Sequence, residues 1–203
     1  MAAARILGQD TVSGGAAGWW QRFGVDGWRF LNGSGTLVYN PPPYLSDLAV
    51  SILGNGGAPL VDGVKNPGGL AMPGGGTTQR SLTDGSFADP TALGLGVAIT
   101  PTDDAPRLAS VYTYRNDGGV SLKFTVWNAA GTLALTPTWS VPTPLSGYGG
   151  TGYWIRFLYS GAVLLKIEKI SGGSSVPLTG IAFGARPLGF AGLSQGFAGH
   201  GVF

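Results

Sequence analysis

The chain contains no cysteine, which excludes a disulfide framework and any thiolate metal site while leaving the redox compartment open. Histidine and glutamate occur once each, as His200 and Glu168, so acid–base chemistry would have to rest mainly on nine aspartates. A Ser-His-Asp site would need His200, three residues from Phe203, where a chain end holds an imidazole least rigidly. Asp103 and Asp104 are adjacent, so on an extended chain they point apart; between Pro101 and Pro106 they read as a turn rather than a glycosidase pair. The Asp-x-Asp-x-Asp-Gly spacing of a calcium loop is missing. No catalytic, cofactor-binding or metal-binding residue is therefore assigned, and the expectation is a protein that is not an enzyme and needs no cofactor.

Charge is also scarce. Charged residues make up 11% of the chain, against ~25% in an average soluble domain. Free-standing proteins usually keep a charged surface for solubility, so much of this one is expected to be covered by other subunits in a homo-oligomer. The alternative is a surface of Ser, Thr, Gly and Asn, as in extracellular proteins. The net charge of +2 comes from twelve Lys and Arg scattered singly, with no basic stripe for nucleic acid. No apolar run approaches the ~18 residues of a membrane span, and Met1 to Asp10 lacks the apolar core of a signal peptide.

Glycine and proline are abundant, at 37 and 14 residues, beside 43% hydrophobic and 11% aromatic residues. Many short strands joined by tight turns around one core reconcile these numbers. No window carries the pattern of a capped amphipathic helix, so the class is all-β. Residues 1–18, small and ending in Ser13-Gly-Gly-Ala-Ala-Gly18, read as a flexible arm, and residues 19–203 as a single domain.

The clearest strands are Tyr153 to Tyr159 and Val163 to Ile170. Tyr153, Ile155, Phe157 and Tyr159 alternate onto one face, as do Val163, Leu165 and Ile167. Ser160-Gly161-Ala162 between them suggests a hairpin pairing residue 159 with 163. Its opposite face, with Trp154, Arg156, Lys166 and Glu168, would meet solvent or a partner subunit. A second hairpin is expected from Arg107–Arg115 and Gly119–Trp127, with Tyr112 and Tyr114 facing the same side as Val120, Leu122, Phe124 and Val126. Asp26-Gly27 and Asn32-Gly-Ser-Gly35 mark turns among short strands before Tyr39, and Leu48–Leu53 reads as another strand. Gly54 to Gly85 reads as a long irregular reach; with no Gly-Lys-Ser/Thr it is not a phosphate cradle, and such loops are commonly functional or intersubunit. In Leu93-Gly-Leu-Gly-Val-Ala-Ile99, large residues alternate with small ones, as expected where an element packs closely over one face. Trp19, Trp20, Trp28, Trp139 and Trp154 are the candidate interface or glycan contacts, because tryptophan is enriched at such surfaces.

Tyr153-Trp-Ile-Arg-Phe157, followed by Gly161, Leu164 and Lys166, resembles the late hairpin of the laminin-G or concanavalin A-like domains of tailed-phage virion proteins. Gly189-Phe-Ala-Gly-Leu193 is similar to a later strand of that family. The likeness covers about Tyr153 to Phe203; the acidic-Asn pair that often precedes the family's last strand is missing, so no family metal or sugar site carries over. The resemblance implies a two-sheet antiparallel β-sandwich of jelly-roll type and a virion structural role as tail, fibre or capsid-decoration component. It also implies synthesis in the host cytoplasm and other virion proteins as partners. The alternative is a carbohydrate-binding or receptor-binding module for host attachment, with a host-surface glycan as ligand and Trp19, Trp20 and Trp139 as its platform.

Overall fold

In a computed structural model of the protein, residues 2–13, 23–31, 37–63, 80–84, 93–113, 120–141, 151–171 and 175–184 are described. Along the first half of the chain run β1 (Ala3–Ser13), β2 (Gly27–Leu31), β3 (Leu37–Asn40), β4 (Leu45–Leu53), β5 (Leu60–Gly63), β6 (Arg80–Thr83) and β7 (Gly94–Pro101). The second half supplies β8 (Arg107–Thr113), β9 (Ser121–Asn128), β10 (Trp139–Ser140), β11 (Thr151–Ser160), β12 (Val163–Ser171), β13 (Pro177–Leu178) and β14 (Gly180–Phe183). There is no helix among the described residues. Every pairing is antiparallel. A six-stranded sheet has the order β1-β11-β8-β14-β2-β3, a five-stranded sheet β10-β9-β12-β7-β4, and a small third sheet β13-β6-β5.

One apolar core lies between the two larger sheets. From the six-stranded sheet come Ala109, Val111, Ile155, Phe157, Tyr159, Ile181 and Phe183; from the five-stranded sheet come Leu95, Val97, Ile99, Leu122, Phe124, Val126, Val163, Leu165 and Ile167. All are buried. The period of two puts these residues on one side of each strand, and burying a large apolar side chain is worth roughly 1.5–3 kcal/mol. Leu82, Val176 and Leu178, of the third sheet and its approach, pack against the same core. The large–small alternation of β7 is explained by its neighbours. Leu95, Val97 and Ile99 fill the core, while a Cβ at Gly96 would lie 3.0 Å from Leu53 Cδ2 and 3.2 Å from Leu164 Cδ1.

The faces of β11 and β12 are as expected, but their pairing is not. β11 lies between β1 and β8 in one sheet, and β12 between β9 and β7 in the other. The link between them is an arch that carries the chain across the core, with Gly161 at φ 65°. Residue 159 therefore pairs with Ala4 and Arg107, and residue 163 with Ile99 and Asn128. The second expected hairpin is also an arch, since β8 and β9 belong to opposite sheets. Tyr112 consequently faces away from Leu122, Phe124 and Val126, and is buried in a separate cluster on the outer side. Tyr114 and the turn 116–118 lie outside the described residues.

Two further expectations need correction. Residues 3–13 of the expected arm form β1, which pairs along its length with β11 from Ala3↔Ser160 to Ser13↔Thr151, with a bulge between Ile6 and Gly8. Edge pairing satisfies backbone groups even where side chains are small. Within the expected reach from Gly54 to Gly85, β5 and β6 pair as Leu60↔Thr83 through Gly63↔Arg80. The short strands before Tyr39 do form a hairpin, β2 with β3, in the register Trp28↔Asn40 to Leu31↔Leu37. Asp26-Gly27 is no hairpin turn: Gly27 begins β2 and the Asp26 amide donates to the Phe183 carbonyl at 3.1 Å.

Candidate functional site

The sheet alternation fixes which aromatic side chains reach the surface. Trp154 points outward from β11, yet it is fully buried. Phe23 stacks on it with ring centroids 4.6 Å apart and an interplanar angle of 16°, and Tyr112 sits at 5.1 Å. Phe30, Leu108 and Ala182 complete this cluster, with the half-buried Trp28, Leu7, Val38 and Leu158 around it. The outer face of the six-stranded sheet is thus a second, smaller core. Trp154 is an internal anchor and not an interface or glycan contact, because the chain before β2 brings Phe23 over it. Trp19 and Trp20 lie outside the described residues.

Trp139 is the surface candidate, 37% exposed. It lies on β10 at the edge of the five-stranded sheet, and its indole N–H donates to Gln9 Oε1 of β1 at 3.4 Å. A Cβ at Gly8 would lie 3.9 Å from its ring. Trp139 therefore bridges the two large sheets along one seam. Arg29 bridges the opposite seam: from β2 its Nη1 donates to the Leu48 carbonyl of β4 at 3.1 Å. Burial pushes the Arg29 guanidinium below its ordinary pKa, with Tyr39 and Asp47 acting in the other direction.

One end of the molecule gathers polar and aromatic groups. Tyr44 Oη donates to Asp26 Oδ2 at 3.0 Å, and the Arg107 guanidinium carbon lies 4.1 Å from the centroid of the Tyr44 ring. Arg107 is gripped by Asp103 through two hydrogen bonds, of 2.6 and 3.0 Å. The Ala105 amide donates to the same carboxylate at 2.8 Å, so Asp103-Asp104 is the turn that its prolines suggested. Hydrogen bonding to Arg107 lowers the Asp103 pKa and raises that of Arg107. Burial raises the Tyr44 phenol, helped by the hydrogen bond to Asp26; burial likewise raises Tyr159, opposed by Arg107. A cleft of about 160 Å³ adjoins this end, lined by Ala3, Arg5, Pro106, Leu158 and Ser160. Its walls offer one cation and little else that is polar. Among the described residues no three His, Cys, Asp or Glu side chains are grouped to hold a metal.

The sheet edges are more informative. Exposed edge strands invite pairing with another chain unless something blunts them. β1 carries its bulge and is flanked by Trp139, while β10 and β13 are two residues each. β4 has a bulge between Leu45 and Asp47 and the Arg29 hydrogen bond on one of its carbonyls. β3 and β5 have neither device. On β3, Leu37 and Tyr39 are 46% and 40% exposed and no residue is charged; on β5, Leu60 and Val61 are 56% and 51% exposed beside Asp62. Leu37 and Leu82 line one small cavity, and Leu82 is paired with Val61, so the two edges are neighbours.

Trp127 is a half-buried, outward-facing aromatic that the candidate set missed. It faces outward from β9, and the Lys166 ammonium lies 3.7 Å from its ring centroid while donating to the Gly131 carbonyl at 3.4 Å. Its parity, opposite to Leu122, Phe124 and Val126, was the available signal. No known family model matches the chain, and no curated protein is detectably similar to it.

Proposed function

We propose that the protein is a structural subunit that works by associating with copies of itself: a two-sheet sandwich of jelly-roll, concanavalin A-like type in the particle of a tailed bacteriophage, as tail, fibre or capsid-decoration component. The observation that carries the assembly reading is the pair of sheet edges β3 and β5, whose Leu37, Tyr39, Leu60 and Val61 are exposed and which, among the described residues, no bulge or side-chain hydrogen bond blunts. The low charge of 11% supports it, because a surface so poor in charge gains from being covered. The virion setting rests on the resemblance around Tyr153–Phe157. A specific interface would bury at least ~1,000 Å², more than two four-residue edges supply, so neighbouring faces and other virion proteins would contribute.

Native mass by light scattering after size exclusion tests this. The wild type should run as a multiple of 20.7 kDa, and Tyr39→Lys with Val61→Lys should shift it toward the monomer. A wild-type monomer at micromolar concentration overturns the reading. A second reading, a glycan-binding module for host attachment, draws on the exposure of Trp139. It predicts binding in a glycan screen that Trp139→Ala abolishes. The Trp127 ring is a poorer platform, since Lys166 already covers one face of it.

A further inference from the structure

β3 ends the six-stranded sheet, and among the described residues no strand pairs with its free edge. The backbone donors and acceptors along such an edge are a template for another strand. Alternation divides the side chains of β3 between the two faces of the sheet. Leu37 lines the small pocket beside Leu82 and Ile181, on the core-facing side, and Tyr39 shares that side. Val38 packs against the outer cluster with Trp28 and Phe30, and Asn40 shares the outer side. Leu37 and Tyr39 are large apolar side chains left exposed, and no residue of β3 is charged. Pro41 follows at once and has no N–H to donate, which confines any added pairing to Leu37–Asn40.

We infer that β3 pairs with β3 of a second copy, antiparallel, about a twofold axis that runs perpendicular to the sheet and passes at Val38. This rests on the self-assembly reading and gives it a symmetry and a register. An antiparallel self-pair about such an axis extends the sheet and keeps the core-facing sides of both copies on one side of it. Opposed residues must then share a face, so the axis passes at a residue and not between two. Centred on Val38, the pair sets Leu37 against Tyr39 of the second copy, and Tyr39 against its Leu37, so that the exposed side chains cover each other, with Val38 against its own counterpart. Centred on Tyr39, it would set Val38 against Asn40 and Leu37 against Pro41, a poorer match. β5 is the weaker self-partner, because centring it on Val61 sets Leu60 against Asp62 and centring it on Asp62 opposes two like charges. Exposed Leu60 and Val61, on the edge beside β3, add apolar area to the same contact.

The chain has no cysteine, so a single introduced thiol reports only its own counterpart. Opposed residues of an antiparallel pair have Cα atoms about 4.5–5.5 Å apart, within the about 4.4–6.8 Å that a disulfide spans, whereas residues two places out of register are about 7–8 Å apart. Full-length Val38→Cys, oxidised under native conditions, should run on a non-reducing gel mainly at twice 20.7 kDa. Leu37→Cys and Tyr39→Cys should each cross-link several-fold less alone, yet join readily when the two variants are mixed. That mixture keeps the test open should Val38→Cys fail to fold. A wild type that self-associates while neither Val38→Cys nor the mixture cross-links overturns this pairing and leaves the assembly reading standing. So does a Tyr39→Cys and Val61→Cys mixture that cross-links in preference, which would mean that β3 meets β5 of the next subunit. A wild-type monomer in light scattering overturns both.

Discussion

Trp154→Ala tests whether the outer side of the six-stranded sheet is a true second core. Trp154 is 0% exposed, stacked by Phe23 at 4.6 Å and flanked by Tyr112 at 5.1 Å. Truncating a buried Trp costs ~3–5 kcal/mol, and aromatic pairs are worth ~0.5–1.5 kcal/mol each beyond area. Phe23 can follow the shrinking side chain inward, which lowers the cost, whereas Tyr112 is anchored on β8 and cannot. An estimate of about 4 kcal/mol follows, equivalent in a domain of this length to a Tm lower by roughly 8–16 °C. Trp154→Phe keeps a ring against Phe23 and should cost about 1–2 kcal/mol. Trp139→Ala is the internal comparison: partly exposed and held by one long hydrogen bond of 3.4 Å, it should cost about 1 kcal/mol. Calorimetry and urea unfolding of the three variants decide the matter. If Trp154→Ala costs no more than Trp139→Ala, the outer cluster contributes little and Trp154 returns to the set of candidate contacts.

Two further expectations follow from the same geometry. Gly94 sits at φ 133°, and a Cβ there would overlap the Ile167 carbonyl oxygen of the neighbouring strand and lie 3.0 Å from Glu168 Cα; Gly94→Ala should cost about 3 kcal/mol through strain and clash, and a loss under about 1 kcal/mol in urea unfolding would show that the β7–β12 contact is looser than described. Tyr44 and Tyr159 both have pKa values raised above the usual 10.0, chiefly by burial, so the folded chain holds these protons more tightly than the unfolded one. Their contribution to stability is whole below about pH 10 and falls as pH rises past it. Tyrosinate absorbance should therefore lag in the folded protein and rise together with unfolding; complete titration of every tyrosine near pH 10 with the near-UV circular dichroism still native would refute it.

The residues that face the core were legible along β9, β11 and β12 but not on β8, where Tyr112 faces the outer cluster, and the sheet to which each strand belongs was not legible at all. Alternation in Tyr153–Tyr159 and Val163–Ile167 states only that each strand has an apolar side. A hairpin in one sheet and an arch between two facing sheets both turn those sides to the same core. The outer sides tell them apart. In a hairpin, Arg156 and Glu168 would lie on one surface as near neighbours. They instead find separate partners on opposite faces of the protein: Arg156 Nε lies 2.6 Å from Asp10 of β1, and Glu168 Oε1 lies 3.5 Å from Lys123 of β9. Asp10 sits in the segment whose small residues suggested a loose arm, so the clue to β1 and the clue to the arch were the same charge pair. The tryptophans mislead for a related reason. Trp154 shares its outer face with Arg156, and such a face reads as solvent-facing until the chain that lays Phe23 across it is known. Long-range coverage of this kind leaves no periodic trace. The edges differ, because the absence of charge in Leu37–Asn40 was visible from the start and became informative once β3 was known to end a sheet. Where apolar strands such as β3 and β5 prove to be sheet edges that no bulge or side-chain hydrogen bond among the described residues covers, those open edges are the place to look for the next subunit.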